Sequence, residues 1–128
     1  RQRQMCIRDR WYLANLRNLI EKKEVENAIE RVGLNPKEKK KVKKYSMGMR
    51  QRLGIAQAIM EKPDILLLDE PTNSLDEKGV ETVRKLFLQL KKEGITILIA
   101  SHNMEDIYCL CDKVYRLTDG VLKEECIL

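Results

Sequence analysis

Ile65-Leu66-Leu67-Leu68-Asp69-Glu70-Pro71 is an unbroken apolar run that delivers two adjacent carboxylates to the point where a strand must end. Four aliphatic residues in succession read as a strand buried on both faces, the pattern of a parallel sheet. Ligands of open parallel sheets bind beyond the carboxyl ends of the strands, and Asp69 and Glu70 stand at that end. Consecutive residues leaving a strand point in different directions, so one carboxylate can face a metal ion while its neighbour faces a water beside a phosphate.

The pattern on either side supports a parallel sheet. Glu77–Lys92 reads as a helix with Val80, Val83, Leu86, Phe87 and Leu90 on one face, and Ile95–Ala100 as a second strand. Strand, helix and strand in that order make a β-α-β unit. Upstream, Trp11–Lys22 and Glu24–Val32 read as helices, with Gly33 stopping the second. Pro36 is placed to open a short lysine-rich helix. Ser46 is placed as the N-cap of a helix through Leu53, Ala56, Ile59 and Met60 that Pro63 closes. Downstream come a short helix around Met104–Cys111 and a hairpin, Lys113–Leu117 with Val121–Glu125, about Asp119-Gly120.

With 128 residues and 43% hydrophobic content the chain suits one globular domain with a single core. No apolar run approaches the roughly 20 residues that cross a bilayer. Cys6, Cys109, Cys111 and Cys126 form neither a CxxC pair nor a disulfide-framework spacing, so they read as reduced, incidental thiols. The net charge of +5 owes much to Lys37, Lys39, Lys40, Lys41, Lys43 and Lys44. No aromatic residue is interleaved there to stack on bases, so the cluster reads as a solvated surface near anionic headgroups, and no nucleic-acid partner is expected.

The remaining motifs are Tyr45-Ser46-Met47-Gly48-Met49-Arg50-Gln51-Arg52 before the carboxylates, then Asn73-Ser74-Leu75-Asp76 and Ser101-His102 after them. In order and spacing these resemble the nucleotide-binding domain of ABC transporters, most nearly the bacterial exporters of bacitracin and lantibiotic peptides. The resemblance implies an α/β fold: the C-terminal part of a P-loop NTPase domain of the ABC ATPase kind, a helical subdomain followed by half of a parallel sheet.

It also implies roles. Asp69 would help hold Mg2+, through water, and Glu70 would position and activate the attacking water. His102, the sole histidine, would be the switch residue that contacts the γ-phosphate, and no cysteine or second histidine is placed to make it a zinc ligand. Ser46 and Gly48 match the two best-defined positions of the family's signature motif, Leu-Ser-Gly-Gly-Gln. A helix N-terminus with a serine hydroxyl favours an anion, and a glycine admits it closely. Met47 and Met49 replace the usual Gly and Gln. Ser46, Gly48, Met49 and Asp76 are thus expected at ATP or the dimer interface, largely on the ATP of the opposite subunit. The implied partners are a second ATP-binding subunit and a transmembrane permease, which would place the protein on the cytoplasmic face of the cell membrane.

No GxxxxGKS or GxxxxGKT occurs, since the glycines at 33, 48, 54, 79, 94 and 120 never fall five apart and none precedes a lysine. The phosphate-cradling Walker A loop is therefore expected to lie outside this chain, leaving a fragment that is itself inactive. Residues 1–10 resemble a translated sequencing adapter and are set apart as a non-native arm. Residues 11–62 are expected to form the helical subdomain with the signature motif. Residues 63–128 are expected to form the C-terminal part of the ATPase core. Two other readings share the same residues: an ABC ATPase that serves no transporter, and a truncated, non-catalytic interaction module.

Overall fold

The computed structural model describes residues 22–126. Both the expected arm Arg1–Arg10 and nearly all of the expected helix Trp11–Lys22 lie outside that range. The described chain runs α1 (Lys22–Arg31), a 3-10 turn (Val42–Lys44), α2 (Met47–Ile59), β1 (Ile65–Asp69), α3 (Glu77–Lys92), β2 (Thr96–Ala100), α4 (Met104–Leu110), β3 (Val114–Thr118) and β4 (Val121–Glu125).

Strands β1 and β2 pair in parallel from Ile65–Thr96 to Asp69–Ala100, and α3 provides the crossover. The Glu70 N–H extends that ladder by donating to the Ala100 carbonyl at 2.8 Å. Both strands therefore end together, with Asp69-Glu70 beside Ser101-His102. Strands β3 and β4 form an antiparallel hairpin in register Val114–Glu125 to Thr118–Val121. Asp119 and Gly120 both take positive φ there, 49° and 76°. Two successive left-handed residues are what a two-residue hairpin turn requires.

One buried cluster runs through the described chain. Val25, Ile29 and Val32 meet Leu53, Ala56 and Ile59 of α2, and the cluster continues through Leu66 of β1 to Val83, Leu86, Phe87 and Leu90 of α3. The helices form as their periodicity predicts because each lays one apolar stripe on this cluster. Burying side chains such as Ile29, Leu53 and Leu90 stabilises the fold by about 1.5–3 kcal/mol each relative to exposure.

Two expectations need correction. Strand β1 is covered on one face only: Leu66 is 3% exposed, whereas Ile65 and Leu67 are 64% and 69% exposed and Leu98 of β2 is 64% exposed. Among the described residues nothing packs on that second face. The lysine-rich segment after Pro36 forms no α-helix, only the turn Val42–Lys44. Here side chains compete for the backbone: Asn35 Oδ1 accepts from Lys37 N at 2.9 Å, and Glu38 Oε1 accepts from Lys40 N at 3.0 Å. Such local bonds offer the chain an alternative to helix, and six lysines provide no apolar stripe to outweigh them.

Candidate functional site

The catalytic candidates meet at the carboxyl ends of β1 and β2. Glu70 leaves β1 with φ +45°, a left-handed conformation unusual for a residue with a side chain. This turns its carboxylate across the strand ends to the partner strand. The His102 backbone N–H donates to Glu70 Oε1 at 3.0 Å, and His102 Nδ1 lies 2.5 Å from the same oxygen. Ser101 Oγ reaches Glu70 Oε2 at 3.4 Å. An ionised carboxylate only accepts, so the pairing puts the ring proton on Nδ1 and leaves Nε2 facing outward. The imidazole is fully exposed. The hydrogen bond from the His102 side chain holds the Glu70 carboxyl below its ordinary value, ahead of smaller effects from the His102 N–H and the Ser101 hydroxyl. Glu70 thus stays an ionised acceptor, the form in which a carboxylate orients water.

Asp69 closes β1 and is exposed, and its carboxylate forms no hydrogen bond or ion pair with the described residues. Among those residues, no group of three or more His, Cys, Asp or Glu side chains could cage a metal. A single open carboxylate suits Mg2+ held mainly by waters and phosphate oxygens, the usual manner of magnesium in nucleotide sites.

The helix α2 opens as its sequence predicts. Ser46 is the N-cap, and its Oγ accepts from Met49 N at 3.1 Å. The N–H groups of Met47 and Gly48 precede the first intrahelical bond, from Arg50 N to Ser46 O. They remain open, at the positive end of the helix dipole. Met49 is committed within the chain, its N–H to Ser46 and its side chain against the core. Asp76 is likewise engaged: its Oδ1 accepts from Gly79 N at 2.8 Å as the N-cap of α3. Of the four residues expected at ATP or the dimer interface, Met49 is engaged within the chain, whereas the Ser46 hydroxyl hydrogen, the Gly48 N–H and the second carboxylate oxygen of exposed Asp76 stay open.

Gly48 has a second constraint that spacing alone did not reveal. A Cβ at this position would lie 2.8 Å from the Ser74 carbonyl oxygen. Ser74 itself has φ +65°. The N-terminus of α2 is therefore packed against the loop Asn73-Ser74-Leu75-Asp76 of the same chain, which only a residue without Cβ allows.

A buried polar cluster anchors this loop from the other side. Asp106 is 0% exposed, takes a hydrogen bond from Thr72 Oγ1, and pairs with Arg84, whose Nε lies 2.7 Å from Oδ1. Sequence reading named none of these three. They sit 12 to 34 positions apart, on the β1–α3 loop, α3 and α4, and only the fold brings them together.

A profile of the ABC transporter family matches residues 2–73, more than half of the chain. That span takes in nearly all of Arg1–Arg10, which the sequence reading set aside. The chain is 51% identical over 111 residues to an uncharacterized ABC transporter ATP-binding protein of Bacillus subtilis (strain 168), covering 87% of this chain and 51% of that one. It is 45% identical over 114 residues to the bacitracin transport ATP-binding protein of Enterococcus faecalis, covering 88% of this chain and 37% of the relative. The fold superposes on a dimeric ATP-binding cassette in a post-hydrolysis state with ADP and Pi, with a TM-score of 0.71 and 28% identity over 80% of this chain and 45% of the other. The chain thus spans about half, or less, of the length of the curated relatives it matches.

Proposed function

The chain belongs to the ABC transporter family, and from that premise we propose that its residues form the hydrolytic and signature-bearing part of an ATP-binding subunit that powers transport. The observation that carries this reading is the strand-end cluster, in which Glu70 is turned into the left-handed region and held by His102 and Ser101. Glu70 orients and deprotonates the attacking water. His102, with Nε2 outward, reaches the γ-phosphate. Asp69 would hold Mg2+, which when bound would supply charge neutralisation at the phosphates.

Ser46, with the open N–H groups of Met47 and Gly48, binds the γ-phosphate of ATP held by a second subunit. These groups open α2, whereas Glu70 follows β1, and in this reading each site is composite across a dimer. A separate membrane permease is the mechanical partner, at the cytoplasmic face of the membrane. None of the helices among the described residues is long and apolar enough to cross a bilayer itself. The similarity to a bacitracin transport protein supports a peptide antibiotic as the proposed substrate class. The 128-residue chain alone, with no glycine-lysine cradle for the phosphates, binds ATP weakly and does not hydrolyse it.

The test is a chimera in which residues 11–128 replace the matching part of the Bacillus subtilis relative. It should hydrolyse ATP only with Mg2+, and Glu70→Gln should lower turnover by roughly two to four orders of magnitude while ATP binding survives. Turnover within a few-fold of the parent in that variant would exclude Glu70 as the base. Hydrolysis by the unmodified chain would overturn the proposed inactivity.

A further inference from the structure

A left-handed residue with a side chain is strained, and persists only where its surroundings fix it. Glu70 is such a residue, and what fixes it is on α2. The Gln51 side-chain amide donates to the carbonyl of Glu70 and to the carbonyl of Pro71, each at 3.3 Å. An amide nitrogen carries two hydrogens, so one is available for each carbonyl. The Glu70 carbonyl also accepts from Asn73 N at 3.2 Å, and Pro71 is fully buried, so the peptide that Gln51 grips has no freedom to turn elsewhere. Gln51 lies one turn beyond Gly48, which packs on the Ser74 carbonyl, so a single helix end touches the Glu70 loop twice.

We propose that Gln51 is a positioning residue for Glu70: its amide sets the peptide that aims the carboxylate at His102 and ties it, within one subunit, to the open N-terminus of α2. The inference rests on the reading of Glu70 as the catalytic group. It adds that a ligand seated on Ser46 and Gly48 is felt at Glu70 of the same chain, through one rigid turn of helix, while Ser46 itself serves the other subunit's nucleotide.

The experiment uses the 128-residue chain, 15N-labelled, and reads solvent exchange of single amides by NMR. The His102 N–H reports on Glu70 because it donates to Oε1. Gln51→Met keeps the length of the side chain but cannot donate. It should speed exchange of the His102 amide about five-fold, within the worth of the two hydrogen bonds it removes, while the amides of Val83 and Leu90 in α3 stay within two-fold. Gln51→Lys, which keeps N–H donors, should bring the His102 rate back toward the parent. An unchanged His102 rate in folded Gln51→Met overturns the proposal, and so does an equal acceleration at His102, Val83 and Leu90, which marks Gln51 as merely stabilising.

If Gln51→Met does not fold, the unaltered chain decides. The Gln51 side-chain hydrogens should exchange more slowly than those of exposed Gln89, and equal rates overturn the proposal. No turnover enters these measurements. A failed Glu70→Gln test in the chimera sinks the catalytic reading without altering the exchange rates.

Discussion

Two carboxylates grip the same loop in opposite ways. Asp106 is fully buried, paired with Arg84 and bonded to Thr72 two residues beyond Glu70. Glu70 is half-buried at the strand ends, in a strained backbone conformation, with a fully exposed imidazole as its main partner. The first arrangement holds structure and presents nothing to a ligand. The second contributes little to stability and leaves its acceptors and the outer nitrogen of His102 in reach of one. Charge is inexpensive to keep at Glu70 because water shares it, and costly to keep at Asp106 unless every lone pair is met.

The sharpest way to break this comparison is to remove each carboxylate and weigh the effect on folding. Asp106→Ala leaves the Thr72 hydroxyl without its partner and the Arg84 guanidinium, only 20% exposed, with the exposed Glu105 alone at 3.4 Å. It should cost about 3 kcal/mol, read as a fall in Tm of roughly 10 °C or more. Glu70→Gln should leave the Tm within a few degrees. Similar falls for both variants would abolish the distinction between a structural and a chemical carboxylate.

A second variant tests whether the loop between them is placed by packing on α2. In Gly48→Ala the new methyl meets the Ser74 carbonyl oxygen at 2.8 Å, a backbone atom that cannot rotate aside. The expected loss is about 1–3 kcal/mol. A companion change, Gly54→Ala, meets nothing within 4 Å and should instead stabilise the helix slightly. Equal melting temperatures for the two would show that α2 does not press on the loop.

How much of this was legible beforehand follows from the range of the forces involved. The bounds of α3 and the pairing of β1 with β2 were readable because apolar period and turn residues act within a few positions. Ser46 as a cap was readable for the same reason, its bond spanning three residues. The sequence placed Glu70 and His102 each after a strand, but their hydrogen bond is seen only in the structure, where the two strands end together. The Arg84–Asp106–Thr72 cluster and the grip of Gln51 on Glu70 join residues 12 to 34 apart, and no local pattern encodes them. Gln51 stood inside a motif that had been singled out, yet its part there is a contact made by the folded loop. The lysine segment failed differently: Pro36 is a proper helix opener, but Asn35 and Glu38 took the backbone donors first.

Ser46→Ala should have a smaller effect. It removes one acceptor, for the Met49 N–H, and should cost about 1 kcal/mol, with the His102 amide unaffected in the chain alone. In the chimera the same change should also reduce turnover, because it withdraws a hydroxyl from the nucleotide of the second subunit. A stability loss without a turnover loss would reduce Ser46 to a cap.

The smallest effect is set by pH. The Glu70 carboxyl titrates below its ordinary value of 4.5 because the folded chain places His102 donors on it. A group with a lowered folded pKa gives stability that is fully present above its unfolded value and is lost as the pH falls through the folded one. The Tm difference between the parent chain and Glu70→Gln should therefore be flat above about pH 5.5 and shrink as the pH drops below 4.5. Subtracting the two curves cancels the acid titration of every other carboxylate, so the remaining slope belongs to the Glu70–His102 pair. The imidazole is fully exposed and screened by solvent, although Glu70 is half-buried, so the difference should be small and should weaken further in 1 M salt. A difference that grows as the pH falls below 4.5 has the wrong sign for a carboxylate held ionised, and would mean that His102 does not engage Glu70 in solution.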